Sequence, residues 1–185
     1  NQGVMNISNP VVFFFDDDII LEPGCVERLW NCLQSDKSIG AVNAMITNQH
    51  YHKPGKLTAF MYRIMSGKDL PSYAGKCIGP GWNLLPEDRE GLPDCNETEW
   101  LNTTCTLYRK DALPDPPFPG RFTGYSLLED VALSVEVGKK WKLCNARTAR
   151  IFHNSQPGEH KSSVIKLSKM ELVNRHYLMV HVLKR

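Results

Sequence analysis

The pattern of hydrophobic positions begins with an unbroken apolar run at Val11–Phe15, and three aspartates follow it directly. A short run rich in β-branched and aromatic residues is typical of an inner strand that is covered on both faces. Apolar residues then recur at helical spacing after Pro23, and residues 40–46 again have the pattern of a strand. This strand, helix, strand order predicts a βαβ unit, and therefore a parallel sheet with helices packed against it.

The rest of the chain continues as alternating elements around one long loop. Residues 75–94 are rich in glycine and proline and have little periodicity, so they predict a loop that is a candidate lid. The remaining pattern predicts helices at 57–65, 127–137 and 164–183 and strands at 104–108, 141–144 and 149–152. The expected fold is α/β, a single domain over 1–185 with a mostly parallel mixed sheet flanked by helices, closed by an amphipathic helix within 154–185.

Charge and hydropathy exclude some function classes. The 185-residue chain has a formal net charge of +2, and its first half has no stripe of Lys and Arg, which argues against nucleic acid as a partner. No apolar run approaches the roughly 18 residues of a membrane span, and no charged-then-apolar leader opens the chain. We therefore expect a soluble protein.

The six cysteines bear on the cellular compartment. They show neither C-x-x-C spacing nor the density of a small secreted scaffold, so we interpret them as reduced thiols in a cytoplasmic protein. Three N-x-[ST] sequons, at Asn6, Asn96 and Asn102, point the other way, but a three-residue pattern often arises by chance.

Asp16, Asp17 and Asp18 form the first candidate site, because ligands of open parallel sheets bind beyond the carboxyl ends of the strands. Three adjacent carboxylates repel one another, and removing them from bulk water is costly unless a cation neutralises them. Oxygen ligands suit Mg²⁺ or Mn²⁺, which keep open positions for phosphate oxygens. The structural alternative is a solvated strand-to-helix turn whose acids favour the dipole of the following helix.

The segment "SLLEDVAL", at residues 126–133, contains the second candidate site. Ser126 with Glu129 three residues later fits a capping box, which would explain both residues structurally. Asp130 is then left over, and a carboxylate in the first turn of a helix can act as a general base or can simply stabilise the helix start. His153 ends the strand-like "ARIFH", and this strand-end position makes it a candidate third metal ligand.

Four stretches together resemble the family-two inverting glycosyltransferases of the GT-A fold. They are the strand that ends in the aspartate triplet and continues as "IILEP", then "EWLNTTCTLYRKDAL", "GYSLLEDVALS" and "ARIFH", in this order from residue 1 to about 153. The resemblance implies a partial Rossmann-like fold and a metal-dependent, hexosyltransferase-like enzyme of polysaccharide biosynthesis. It also implies that the family's strands for the nucleotide base would lie before Asn1, so that this chain would be the C-terminal part of such a domain.

The resemblance implies a nucleotide-sugar donor whose diphosphate is held through Mn²⁺ or Mg²⁺. Carried over residue by residue, Asp16, Asp18 and His153 would form the metal site. Asp16 would also face the nucleotide ribose or the donor sugar, and Asp17 would line the donor pocket.

The acceptor side follows from the same resemblance. Asp130 would be the general base that activates the acceptor hydroxyl, with inversion at the anomeric carbon, and Glu129 would contribute to substrate binding. Trp100 and Asn102 would border the acceptor, and Trp100 would offer a flat apolar face to a sugar ring. No Q-x-x-R-W motif follows Asp130, so the resemblance is stronger to single-addition enzymes than to processive synthases.

Partners and alternative functions remain open. The acceptor is expected to be a glycan, a lipid-linked molecule or another hydroxyl compound. The terminal helix is basic, so it either rests on an anionic membrane or packs its apolar face on the sheet; its charged residues are Lys161, Lys166, Lys169, Arg175, Lys184 and Arg185 against Glu159 and Glu171. The alternatives to a glycosyltransferase are a non-catalytic glycan- or partner-binding module derived from such a domain, and a metal-dependent sugar-phosphate nucleotidyltransferase.

Overall fold

The computed structural model describes residues 2–155 and 163–184 of the chain. Its helices are α1 (Gln2–Met5), α2 (Cys25–Ser35), α3 (Lys56–Ser66), α4 (Glu129–Gly138) and α5 (Val164–Tyr177). Its strands are β1 (Val11–Phe15), β2 (Ile19–Leu21), β3 (Ile39–Ile46), β4 (Cys77–Ile78), β5 (Trp82–Asn83), β6 (Cys95–Thr98), β7 (Cys105–Arg109) and β8 (Lys142–His153). A 3₁₀ turn, Lys110–Ala112, follows β7, and a π-helical segment, Leu178–Leu183, continues α5.

The main sheet is mixed and has the strand order β1-β7-β3-β8-β2, with β6 also paired to β8. The expectation of an α/β fold with a mixed sheet is confirmed, but the expectation of a mostly parallel sheet is wrong. Only β3 and β8 pair in parallel among the described strands, and every other pair in this sheet is antiparallel. The apolar pattern of β1 and β3 indicates that both faces of these strands are buried. Such a pattern does not specify which strand pairs with them, so it could not predict the antiparallel neighbours.

The two strands of the predicted βαβ unit run in the same direction, as expected, but they do not pair with each other. Strand β7 lies between β1 and β3 and runs antiparallel to both, with Leu107 opposite both Phe13 and Val42. As a result β1 and β3 point the same way without sharing hydrogen bonds. Helix α2 connects them and buries Leu29 and Leu33 completely in the core.

Strand β8 replaces the two short strands expected at 141–144 and 149–152. Its pairing with β3 shifts register between Ala146 and Arg150, so the intervening residues bulge out of the ladder. Strand β6 pairs with β8 before the bulge, and β2 pairs with it beyond the bulge. The bulge interrupts the apolar alternation, which is why the sequence pattern indicates two strands.

A disulfide between Cys32 of α2 and Cys95 of β6 corrects the prediction that all six cysteines are reduced. The pairing depends on tertiary contact, because 63 residues separate the two positions. The other four, Cys25, Cys77, Cys105 and Cys144, are buried thiols. Disulfides are typical of oxidising compartments, so this bond gives no support to a cytoplasmic location.

The segment 75–94 is anchored at several points. It contains the β4–β5 hairpin, and the indole N–H of Trp100 donates a hydrogen bond to the carbonyl of Leu84 over 2.7 Å. Further along, Asp88 binds Arg150 of β8 over 2.7 Å and also lies within 3.7 Å of Arg147. This loop is therefore tied to the sheet, which does not favour its interpretation as a lid.

The terminal helix is confirmed over Val164–Tyr177, but its apolar side chains are not packed on the sheet. Ile165 is 83% exposed and Leu172 is 73% exposed, whereas the contact with the core comes from Tyr177 at the end of α5 and from Leu178 and Val182 in the π-helical segment. The basic residues Lys161 and Arg185 and the acid Glu159 lie outside the described residues. No helix in the described part of the chain is long and apolar enough to cross a membrane.

Candidate functional site

The aspartate triplet forms the turn that joins β1 to β2. The backbone N–H of Asp16 donates to the carbonyl of Thr104 over 2.9 Å, which continues the β1–β7 ladder by one residue. Asp17 and Asp18 form the turn itself, and β2 starts at the next residue. The alternative that these acids stabilise a following helix is wrong, because a strand follows them.

Pairing of β2 with the end of β8 brings Asp18 to His153. Ile19 lies opposite His153 in the ladder, and the N–H of Asn154 donates to the backbone carbonyl of Asp18 over 2.8 Å. Asp18 Oδ1 and His153 Nε2 are 3.2 Å apart. Together with Asp16 they form a cluster whose ligand atoms all lie within 4.8 Å of one another. The three residues expected to form a metal site are therefore close in space.

Asn48 holds the backbone of His153 in place, and sequence reasoning missed it. Its side-chain carbonyl accepts from the N–H of His153 over 3.1 Å, and its amide donates to the carbonyl of His153 over 2.9 Å. The side chain thereby takes the place of a neighbouring strand at the end of β8. Only its position just after β3 could have indicated this role, since the contact spans 105 residues.

The three side chains fit a divalent cation. Mn²⁺ readily binds both carboxylate oxygens and imidazole nitrogens, and Mg²⁺ prefers the carboxylate oxygens. The Nδ1 atom of His153 is buried with no hydrogen-bond partner among the described residues, while Nε2 points at Asp18. The cluster therefore brings carboxylate charge and an imidazole nitrogen together. A bound cation would neutralise that charge and take the nitrogen as a ligand.

Asp130 lies in the first turn of α4, beyond a loop with unusual backbone angles. Ser126 and Leu128 both have positive φ, 52° and 72°, although neither is a glycine. The N-cap of α4 is Leu128, and no side chain caps the helix, so the predicted capping box of Ser126 and Glu129 is wrong. Positive φ in non-glycine residues stores strain and is frequent at functional sites.

The charge state of Asp130 is perturbed by its surroundings. The pKa of its carboxyl is raised to about 6, mainly by burial and to a smaller extent by the negative charge of Asp16, while a hydrogen bond from the Val131 N–H opposes the shift. The pKa of the neighbouring Glu129 is also raised, mainly by burial and then by the charge of Asp130. A carboxyl with a pKa close to neutral is suited to proton transfer.

Helix α4 is held against the segment that joins β6 to β7. Ser134 Oγ accepts from the N–H of Leu101 over 2.9 Å and donates to its carbonyl over 3.2 Å. Tyr108 of β7 is fully buried, and burial together with the charge of Asp130 raises the pKa of its phenol. Neither Ser134 nor Tyr108 was identified from the sequence, because their partners are distant along the chain.

The residues expected at the acceptor have different environments. Trp100 is only 6% exposed and packs in a cluster with Phe122 and Val131, so the expectation that it offers a flat face to a sugar ring is wrong. The side-chain oxygen of Asn102 is buried without a hydrogen-bond partner in the described structure. Asn102 lies two residues before Thr104, whose carbonyl binds Asp16, and this places it beside the aspartate turn.

Comparison with known proteins adds no further assignment: no model of a protein family matches the chain, and no curated protein matches it either.

Proposed function

We propose that this domain is an inverting glycosyltransferase, which moves a sugar from a nucleotide diphosphate donor to an acceptor hydroxyl with the help of Mn²⁺ or Mg²⁺. The observation that carries the proposal is the cluster of Asp16, Asp18 and His153, with ligand atoms within 4.8 Å of one another. The second element is Asp130, a carboxyl whose pKa is raised by burial and, to a smaller extent, by the charge of Asp16. Such transfer needs charge neutralisation at the diphosphate and a base at the acceptor, and this site offers a candidate for each.

We assign the donor side to the aspartate turn. Asp16, Asp18 and His153 would hold the cation, which when bound would neutralise charge developing on the leaving diphosphate. Asp16 also faces the ribose or the donor sugar in this assignment, and Asp17, at the exposed tip of the turn, lines the donor pocket.

We assign the acceptor side to the start of α4. Above its pKa of about 6, Asp130 is ionised and can take the proton of the acceptor hydroxyl. The acceptor oxygen forms a bond to the anomeric carbon as the bond from that carbon to the diphosphate oxygen breaks, and the electron pair leaves with the diphosphate. Attack from the opposite face inverts the configuration. Glu129 and Asn102 border the acceptor in this assignment.

The donor half of the proposal is tested by calorimetric titration of UDP, GDP and dTDP into the protein, first with Mn²⁺ and then with EDTA. We expect one nucleotide to bind only with the metal, and Asp18→Ala to weaken that binding at least about tenfold through loss of a charged ligand. Asp69→Ala, which changes an exposed carboxylate outside the site, is the matched control. Absence of nucleotide binding, or binding that is equal with EDTA, would contradict the donor assignment.

The acceptor half is tested with Asp130→Asn. Loss of the general base should lower sugar transfer, measured as release of the nucleoside diphosphate, by about 10²- to 10⁴-fold while donor binding stays unchanged. Glu136→Gln on the exposed side of the same helix should leave transfer unchanged. Retained transfer in Asp130→Asn would contradict the assignment. Glycan binding that survives both this variant and EDTA, without any nucleotide binding, would favour a non-catalytic binding module.

A further inference from the structure

Helix α3 has an apolar stripe that faces solvent. Leu57, Phe60, Met61 and Ile64 occur at the spacing of one helix face, and all four are exposed, Leu57 by 75% and Ile64 by 65%. No residue of α3 is fully buried. A surface helix of a globular protein normally turns such a stripe toward the core. The stripe of α3 is therefore available to another surface.

Helix α5 repeats this arrangement. Ile165 and Leu172 are 83% and 73% exposed, and Val164 and Val173 beside them are also exposed. Only Asn174 of this helix is fully buried, through a hydrogen bond from its amide to the carbonyl of Leu127. These four apolar residues of α5 are thus exposed, whereas Leu167, Met170 and Tyr177 of the same helix are half-buried.

The β4–β5 hairpin contacts both helices. On the α3 side, the sulfur of Met65 lies 3.0 Å from the position that a Cβ on Gly79 would occupy. On the α5 side, Arg175 donates a hydrogen bond to the carbonyl of Gly81 over 2.8 Å. Trp82, which follows Gly81 and whose ring centroid lies 6.3 Å from that of Tyr62 in α3, is partly exposed. We call α3, this hairpin and α5 together the apolar face.

The charges on the apolar face are almost all positive. The two helices contain five Lys or Arg residues and one acid, Glu171, which is itself paired with Arg175 over 2.9 Å. Lys56 and Arg63 flank the stripe of α3, and the three cations of α5 are Lys166, Lys169 and Arg175. The whole chain has a net charge of only +2. Positive charge is therefore concentrated on the face that also exposes apolar side chains.

A small groove at the edge of α5 is a candidate binding site for an anion. It has a volume of about 280 Å³ and lies between α5 and the segment around Arg121. Arg121, Lys166 and Lys169 line it, and none of its described lining residues is a carboxylate. Cations that converge without a counter-charge are suited to a phosphate group.

We propose that the apolar face docks on an anionic phospholipid bilayer. Helices with apolar side chains on one face and Lys or Arg beside them lie in the interface of a membrane, where the chains enter the acyl boundary and the cations meet lipid phosphates. A second copy of the chain is a poorer occupant, because a two-fold contact would bring the same positive face against itself. Nucleic acid would match the charge and leave the apolar residues without a partner.

The proposal is tested by cosedimentation of the protein with vesicles of phosphatidylcholine alone and with added phosphatidylglycerol. We expect binding to the anionic vesicles only, and weaker binding as salt is raised. Two variants separate the contributions of the face: Leu57→Ser with Ile64→Ser removes apolar contact, and Lys166→Glu with Lys169→Glu reverses charge. Each pair should weaken vesicle binding at least about tenfold.

Matched controls lie on another helix and on the loop after it. Val26→Ser changes an exposed apolar residue of α2, and Lys37→Glu reverses an exposed charge. Both should bind vesicles as the parent does, and circular dichroism should show that all variants are folded. Equal binding to neutral and anionic vesicles, or binding unchanged in both variant pairs, would overturn the proposal. Absence of vesicle binding together with self-association lost in the same variants would overturn it in favour of a second copy.

Discussion

At the scale of single residues, the chemistry of the site depends on where carboxylates are held relative to water. Asp18 and Asp130 have the same side chain but lie in different environments. Asp18 lies in a partly exposed turn 3.2 Å from His153, suited to holding a cation. Burial raises the pKa of Asp130 to about 6, which suits it to moving a proton. The sequence indicates both residues as candidates, but only the fold assigns them different environments.

The raised pKa of Asp130 predicts a pH-dependent stability effect of Asp130→Asn. Because the native state holds this proton up to about pH 6 and an ordinary aspartate releases it near 3.8, the free energy of unfolding contributed by this group falls as pH rises between these values. The asparagine variant lacks that loss, so its stability relative to the parent should be higher at pH 7 than at pH 4, by up to about 3 kcal/mol.

Urea unfolding at pH 4 and pH 7 measures this difference. Asp111→Asn, which changes an exposed carboxylate beyond β7, is the control and should show no such dependence. If Asp130→Asn changed the free energy of unfolding equally at both pH values, ionisation of Asp130 would not lower stability as we infer. A gain of stability with a loss of transfer would be the usual trade-off at a catalytic residue.

At the scale of elements, the link between α2 and β6 is the feature that the sequence did not reveal. Helix α2 packs on β8, and β6 adds to the free edge of the same strand, so Cys32 and Cys95 meet only after both have docked. The spacing of the cysteines along the chain does not indicate this contact between Cys32 and Cys95. In contrast, the existence of α2, α3, α4 and β3 follows from local periodicity and was predicted to within a few residues.

We predict that Cys32→Ser lowers the free energy of unfolding by about 2–4 kcal/mol, since the disulfide closes a long loop in the unfolded chain. Denaturant unfolding with and without a reducing agent measures the effect. The parent protein should lose a similar amount when reduced, and Cys32→Ser should be insensitive to the reducing agent. Equal stability of oxidised parent, reduced parent and variant would mean that the bond contributes nothing.

At the scale of the whole molecule, the candidate site and the apolar face are built from different parts of the chain. The site uses the ends of β1 and β8 and the start of α4, whereas the face uses α3, the β4–β5 hairpin and α5. No residue of the metal cluster belongs to the face. The two proposals can therefore be tested separately, and either can fail alone.

This separation predicts that vesicle binding does not require metal. Cosedimentation with anionic vesicles should be the same in Mn²⁺ and in EDTA, and Asp18→Ala should bind vesicles like the parent protein. The charge reversals at Lys166 and Lys169 should in turn leave nucleotide titrations unchanged. A loss of vesicle binding in EDTA would mean that the cation bridges protein and lipid, contrary to docking through the apolar face.

The sequence by itself determined α2, α3, α4, β1, β3 and β7 and the aspartate triplet after β1, and it identified the acids and the histidine of the candidate site. These follow from residue spacing, because helical and strand periodicity and strand ends are properties of neighbouring residues. Only the tertiary structure decided that β7 separates β1 from β3, that Asp18 meets His153, and that the stripes of α3 and α5 stay exposed. Such outcomes depend on contacts between residues far apart in the chain, and hydrophobic spacing records that a residue prefers burial without recording what will cover it.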